Sequence, residues 1–211
     1  MLGCDAILSA SAAGSLKEEF PPGHAVVPDQ FIDRTRHRRD TFFGDGIVAH
    51  VSFADPVCPA LSRVLEASAA ECGLAVRRGA TYVCIEGPQF STRAESFLYR
   101  SWGADVIGMT NLTEARLARE AEICYATLAI VTDWDCWREA TLAVSVEAVL
   151  AVLSQNADAA RRTLREAAGR VEGSRTCGCR DALRYAIVTD PKVIPDALRA
   201  RLRPIAGRYL S

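Results

Sequence analysis

Histidine is scarce in this chain of 211 residues: His24, His37 and His50 are all there is, and no two stand in a paired arrangement. That leaves little from which a histidine-based metal centre could be built. An excess of charge is missing too. Twenty-five basic residues against 26 acidic ones give a formal net charge of −1, so no strong field awaits nucleic acid or an anionic membrane, and neither is expected as a partner. The longest nearly apolar stretch, Ile123 to Val131, is far short of the roughly 20 residues that a membrane helix needs. Met1-Leu-Gly-Cys-Asp5 has no basic flank ahead of an apolar run, so it does not read as a signal peptide, and a cytoplasmic location is expected. There is no G-x-G-x-x-G, no phosphate loop of the G-x-x-x-x-G-K type, no internal repeat and no heptad array. With 49% hydrophobic and 24% charged residues, the composition is that of an ordinary globular chain. One domain over residues 1–211 is expected.

Cysteine is the exception to this scarcity, with eight in the chain. Cys4, Cys58, Cys72, Cys84, Cys124 and Cys136 are scattered and mostly sit among apolar neighbours, as small buried thiols do. The one close pair is Cys177-Gly178-Cys179, read as structural or locally disulfide-forming. A metal would need two further soft ligands at useful spacing. The sequence shows none, so no metal is expected.

Apolar runs of strand length alternate with helical patterns. Strands are expected at Ala6 to Ala10, His24 to Val27 (closed by Pro28), Ala80 to Ile85, Asp105 to Met109 and Tyr125 to Val131. Helices are expected at Leu61 to Cys72, about Ser91 to Trp102, Thr113 to Glu122, with Asn111 or Thr113 as its cap, and Val144 to Ala168. Ser11 to Ser15 reads as a turn. Phe31 to Gly46 reads as a long polar loop, either solvated or leaving the domain to meet a partner subunit. The alternation predicts an α/β fold with a mixed, largely parallel central sheet flanked by helices.

Ligands of such sheets collect at the carboxyl ends of strands. Four junctions there carry small or polar residues: Ser11 to Ser15, Glu86 to Ser91, Met109 to Asn111 and Thr132 to Asp135. Asp133 and Asp135 stand two apart at the mouth of an apolar strand, which on strand period puts both carboxylates on one face. Mutual repulsion and burial would raise the pKa of at least one, which suits a proton donor. Equally, one aspartate could cap a helix while the other is solvated.

Four segments then carry a resemblance: Glu86-Gly-Pro-Gln-Phe-Ser-Thr-Arg-Ala-Glu95, Trp102-Gly-Ala-Asp-Val-Ile-Gly-Met-Thr-Asn-Leu-Thr-Glu114, Ala118-Arg-Glu-Ala-Glu-Ile-Cys-Tyr125 and Val131-Thr-Asp-Trp-Asp-Cys-Trp137. Together they resemble the 5′-methylthioadenosine-cleaving members of the trimeric purine nucleoside phosphorylase family. The match is dense from about Gly3 to Val149, and the Cys177-Gly-Cys179 tail is similar to that of bacterial members. The resemblance implies a purine/uridine phosphorylase-like fold and phosphorolysis of 5′-methylthioadenosine to adenine and 5-methylthioribose 1-phosphate. Inorganic phosphate is the co-substrate, no cofactor takes part, and the assembly is a homotrimer.

It also implies roles. Asp133 protonates the departing purine, a transfer worth typically ~10² to 10⁴ in rate, and Asp135 supports the 6-amino group. Asparagine stands at the position of Asp133 in related 6-oxopurine enzymes. Phe90 packs on the base with Ser91 at its edge, and Met109 contacts the ribose. Ser11, the Ala12 backbone N–H and Thr110 contact phosphate. His50 is lent to a neighbouring subunit, and Val146 with Val149 forms an apolar wall for the methylthio group. The glycine-rich phosphate loop and the Arg-His pair of the family have no counterpart, and Arg36-His37 falls in the wrong segment to replace that pair. The expected fold is therefore N-terminally incomplete. The alternatives are a broader purine nucleoside phosphorylase and a non-catalytic purine-binding or assembly protein.

Overall fold

A computed structural model of the chain describes residues 3–138, 146–171 and 177–210. Five strands close into a barrel in the order β1-β4-β3-β2-β5: β1 (Ala6–Ser15), β2 (Ala25–Arg34), β3 (Val76–Ile85), β4 (Val106–Gly108) and β5 (Cys124–Asp133). Three pairings are parallel (β1 with β5, β2 with β3, β3 with β4) and two are short antiparallel contacts (β1 with β4, β2 with β5), so the sheet is mixed and largely parallel. Helices α1 (Pro59–Glu71), α2 (Arg93–Ser101), α3 (Asn111–Glu120), α4 (Val146–Arg170) and α5 (Asp196–Ala206) complete the α/β fold expected from the sequence.

Residues 125–132 of β5 are all buried. A strand paired on both edges and covered on both faces reads as one apolar run rather than an alternation, and Tyr125-Ala-Thr-Leu-Ala-Ile-Val131 does so. One side of the sheet packs on α1 and α4 through Leu61, Leu65, Ala69, Leu128 and Ala167. The barrel interior holds Val26, Tyr82, Val106, Ala129 and Val131. A third cluster joins Phe43 and Ile47 to Leu183, Leu198, Leu202 and Leu210, seating the C-terminal segment beside the loop that follows β2.

Several local readings change. Ser11 to Ser15 is not a turn: it continues β1, paired with β5 as far as Gly14 opposite Asp133, with a register shift between Ala13 and Gly14. β2 does not stop at Pro28, because a bulge on each side of the β2–β3 ladder absorbs the missing N–H. The pairing passes from Val27–Arg78 to Pro28–Ala80 to Gln30–Thr81, skipping Gly79 and Asp29. Gly79 has φ +90°, which a side chain would disfavour. Phe31 to Arg34 accordingly belong to β2, and the loop begins at Thr35. Its middle is tied to the barrel: Arg38 donates to the carbonyls of Met109, Ile85 and Glu86, and the Glu120 carboxylate accepts from Thr41 Oγ1 and the Phe42 N–H at 2.7 Å each. α3 starts at Asn111, earlier than the pattern suggested, and neither Asn111 nor Thr113 caps it; Thr110 stands at the N-cap, its side chain accepting no hydrogen bond from the helix backbone. The expected start of α4 at Val144 lies outside the described residues.

Gly108 is the tightest approach in the barrel. A Cβ there would lie 1.9 Å from Tyr82 Oη and 2.6 Å from Cζ, and Tyr82 is fully buried with no room to retreat. Gly108→Ala is expected to cost at least the ~1–3 kcal/mol of a forced overpacking, measured as a loss of thermal stability. Adding Tyr82→Phe should recover part of the loss by removing the nearest atom. An unchanged melting temperature in the single variant would contradict this packing.

Candidate active site

Two clefts open side by side at the carboxyl ends of the strands. The first, of about 380 Å³, is lined by Ser11 to Gly14 of β1, the Gly108-Met109-Thr110 turn after β4, and Thr132 of β5. The second, of about 400 Å³, is lined by Phe90 and Ser91, by Glu86 and Glu95, and by Arg34, Arg36 and His37. Met109 stands between them. A Cβ on Gly87, which lines the second cleft, would lie 2.6 Å from Met109 Sδ, so only glycine lets the methionine seat there.

At the first cleft the hydroxyls of Ser11 and Thr110 both donate to one oxygen, Asn111 Oδ1, at 2.9 and 3.1 Å. Asn111 is fully buried. Its amide nitrogen donates in turn to Tyr125 Oη at 3.0 Å and Thr127 Oγ1 at 2.5 Å, and Tyr125 Oη donates to Glu114 at 2.8 Å. Burial, with the Glu114 carboxylate beside it, pushes the Tyr125 phenol up and keeps it protonated. A buried amide with every group satisfied is rigid, and it joins β1, α3 and β5 at the point where Ser11 and Thr110 face the cleft. The start of α3 lies here as well, uncapped by any side chain. The positive end of its dipole and its free amides make this a favourable place for an anion.

The aspartates lie at the end of β5. Asp133 closes the strand, and both of its oxygens are held: Oδ2 accepts from Thr132 Oγ1 at 2.8 Å and Oδ1 from the Asp135 N–H at 2.7 Å. Gly14 lies against it, since a Cβ there would be 2.9 Å from Asp133 Oδ1. The expectation that strand period aligns the two carboxylates fails, because β5 ends at Asp133 and Asp135 sits in a turn with φ +51°. Asp135 is buried, and burial raises its carboxyl above the ordinary range, with Asp133 and Glu95 adding like-charge repulsion. The following Cys136 Sγ donates to the Ser91 carbonyl at 3.3 Å, tying this turn to the second cleft.

Ser11, Ala12, Met109 and Thr110 thus meet at one cleft and Phe90 and Ser91 at its neighbour, while Asp133 and Asp135 line neither: they lie between Thr132, which lines the first, and Cys136, which bonds to Ser91 of the second. Val146 and Val149 do not join them, and His50, expected at the site of a neighbouring subunit, lies outside both clefts of its own chain. His50 is exposed, its backbone N–H bonded to Ala186 O at 2.8 Å. Val146 (59% exposed) and Val149 stand at the start of α4 and line neither cleft. Sequence reasoning gave no role in the site to Asn111, placed in the junction after β4 and as a possible helix cap; to Arg38, whose guanidinium donates to the Met109 carbonyl; or to Gly14, whose missing side chain admits Asp133. An asparagine directly after a strand and a threonine was the one visible signal.

The family model described as the phosphorylase superfamily matches residues 1–168. S-methyl-5′-thioadenosine phosphorylase of Geobacter sulfurreducens is 56% identical over 210 residues, covering 99% of this chain and 73% of the relative. The enzyme of the same name from Chloroflexus aurantiacus is 53% identical, covering 100% of this chain and 74% of its own. Among solved structures, a methylthioadenosine phosphorylase from an antarctic soil metagenomic library superposes with a TM-score of 0.90 at 47% identity, over 97% of this chain and 72% of that one. Methylthioadenosine phosphorylase from Schistosoma mansoni in complex with adenine gives 0.81 at 34% identity, over 87% and 71%. This chain belongs to the phosphorylase superfamily.

Proposed function

We propose that this chain is an S-methyl-5′-thioadenosine phosphorylase, a pentosyltransferase that cleaves 5′-methylthioadenosine with inorganic phosphate to adenine and 5-methylthioribose 1-phosphate. One observation carries the reading: an anion-favouring cleft (Ser11, Thr110, the start of α3) adjoins a cleft bearing an aromatic face (Phe90), with Met109 of the first against Gly87 of the second and two carboxylates between Thr132 and Cys136. The identity of about half or more to enzymes of that name, over nearly the whole chain, supports it. A phosphate oxygen in the first cleft attacks the anomeric carbon of a sugar lying over Met109. The carbon–nitrogen bond to the purine breaks, its electron pair leaves with the base, and Asp133 gives the purine imidazole nitrogen a proton so that it departs neutral. Asp135 holds the 6-amino group.

The phosphate nucleophile needs donors where Ser11 and Thr110 now give their protons to Asn111. Each hydroxyl turns about its C–O bond to serve an anion, while Asn111 keeps its remaining bonds. No cofactor has a place in these steps. A homotrimer, with His50 reaching the site of a neighbouring copy, belongs to the same reading and is checked by light scattering.

Adenine release from 5′-methylthioadenosine is expected to depend on phosphate; release at equal rate without it would remove this reading. Asp133→Asn should lower kcat/KM for methylthioadenosine by about 10²-fold or more and shift relative preference toward 6-oxopurine nucleosides, read by competition between methylthioadenosine and inosine. Asp135→Asn is expected to stabilise the fold. A carboxyl raised by burial favours the folded state only while protonated, so its cost grows as pH rises through and above the ordinary carboxylate range. The melting-temperature gain of the variant should therefore be larger at neutral pH than in acid, and asparagine also tolerates φ +51°. A gain that shrinks with rising pH would refute the assignment.

A further inference from the structure

Away from both clefts, the fold gathers four thiols that the sequence scatters. Cys58 is the N-cap of α1, Cys124 opens β5, and Cys177 and Cys179 flank the turn into the C-terminal segment. Their four Sγ atoms all lie within 4.8 Å of one another, Cys124 and Cys177 at 3.3 Å. Zinc holds thiolates at about 2.3 Å in a tetrahedron, which puts its ligand sulfurs about 3.8 Å apart. Four converging thiols match that shape more closely than two separate bridges, each of which needs only a pair in contact. Expecting no metal rested on the want of two further soft ligands, and folding brings two further thiols, Cys58 and Cys124, to the local Cys-x-Cys.

The surroundings suit a closed structural centre. Cys58 and Cys179 are 2% and 4% exposed, and Leu61 and Leu65 stand in the same cluster, which keeps water from the sulfurs. The Leu61 N–H donates to Cys58 Sγ at 3.5 Å, and the start of α1 adds its positive dipole end to the thiolate. Arg180, next in sequence to Cys179, carries positive charge beside the site while paired to Asp5 at 2.9 Å. A cleft of about 370 Å³ lined by Cys177, Gly178 and Cys179 gives an ion a path from solvent.

We propose that Cys58, Cys124, Cys177 and Cys179 bind one divalent cation of zinc's class in a tetrahedral all-thiolate site that fastens the C-terminal segment to α1 and β5. The four thiols release four protons and the ion takes four thiolates, with no redox step; soft sulfur donors select zinc over magnesium or calcium. The site has no atom in either substrate cleft, so its role is structural and independent of the proposed phosphorolysis.

The test uses the full chain purified under thiol reductant without chelator. One zinc per chain by elemental analysis, together with a cobalt-substituted form showing sulfur-to-cobalt charge transfer and tetrahedral d–d bands, supports the proposal. Cys58→Ser and Cys179→Ser should each abolish the cobalt spectrum, while Cys72→Ser, outside the cluster, should keep it. Metal removal should lower the melting temperature by several degrees, restored by zinc. Protein that takes up neither metal while all eight thiols titrate freely, or peptide mapping that finds disulfides among these four cysteines under reductant, overturns it. Should a variant fail to fold, the cobalt spectrum of the unaltered chain decides. Absence of enzyme activity alongside a tetrahedral cobalt spectrum would fail the functional reading and leave this one standing.

Discussion

The parallel pairing of β1 with β5 governs where the chemistry can occur. Nine registered pairs run from Ala6–Cys124 to Gly14–Asp133, and the single irregularity falls between Ala13 and Gly14. That shift sets the one residue without a side chain against the Asp133 carboxylate, and just beyond it Gly14 and Ser15 turn to pair with Ile107 and Val106 of β4. Ser11, three residues earlier on β1, is thereby carried to Asn111 at the start of α3. One ladder therefore positions both the hydroxyls suited to an oxyanion and the acid suited to a leaving base. Backbone hydrogen bonds, rather than any surface ion pair, fix the distance between the two.

Much of this was legible because it is periodic. The buried run of β5 and the apolar pattern of α1 each state an element in local terms, and the structure has them. What stayed hidden depends on partners distant in sequence. Ser11 to Ser15 reads as a turn because serine, alanine and glycine favour turns, yet pairing with β5 overrides that preference. Pro28 reads as a stop, yet a bulge whose glycine is some 50 residues away carries the strand past it. Asn111 reads as a cap, since asparagine at a helix start is most often one. Only the fold shows that Tyr125 and Thr127, on a different strand, claim its amide. The site residues named from the resemblance that line the two clefts stand on β1 or directly after β3 and β4. Val146 and Val149 on α4 do not, because the placement of that helix relative to the barrel is no part of the strand ladder.

The cysteines show the same lesson from the other side. Spacing along the chain is a good guide to a metal site when one hairpin supplies the ligands. Here three separate elements supply them, with Cys124 and Cys177 53 residues apart, so no local pattern could announce the cluster. Apolar neighbours on each cysteine are the ordinary mark of a buried thiol. They are also what four thiols share when they converge on one point in a core.

β5 accordingly has two working ends. At its carboxyl end stand Asp133 and the left-handed turn at Asp135, next to the cleft residue Thr132; aspartate tolerates that backbone conformation better than most residues, so the one side chain both makes the turn and supplies a buried acid. At its amino end stands Glu122, with φ +58° and a nearly buried carboxylate that accepts from the Leu183 N–H at 2.9 Å, Arg208 at 2.8 Å and Tyr209 Oη at 2.7 Å. Glutamate gains nothing locally from that backbone geometry, so these three bonds must outweigh a strain of order 1–3 kcal/mol. Together with the thiols around Cys124 they clamp the start of the strand to the C-terminal segment. A strand buried on both faces transmits such a clamp along its length, because close-packed interiors yield little. The C-terminal segment, although none of its described residues lines either cleft, is therefore part of what holds Asp133 in place.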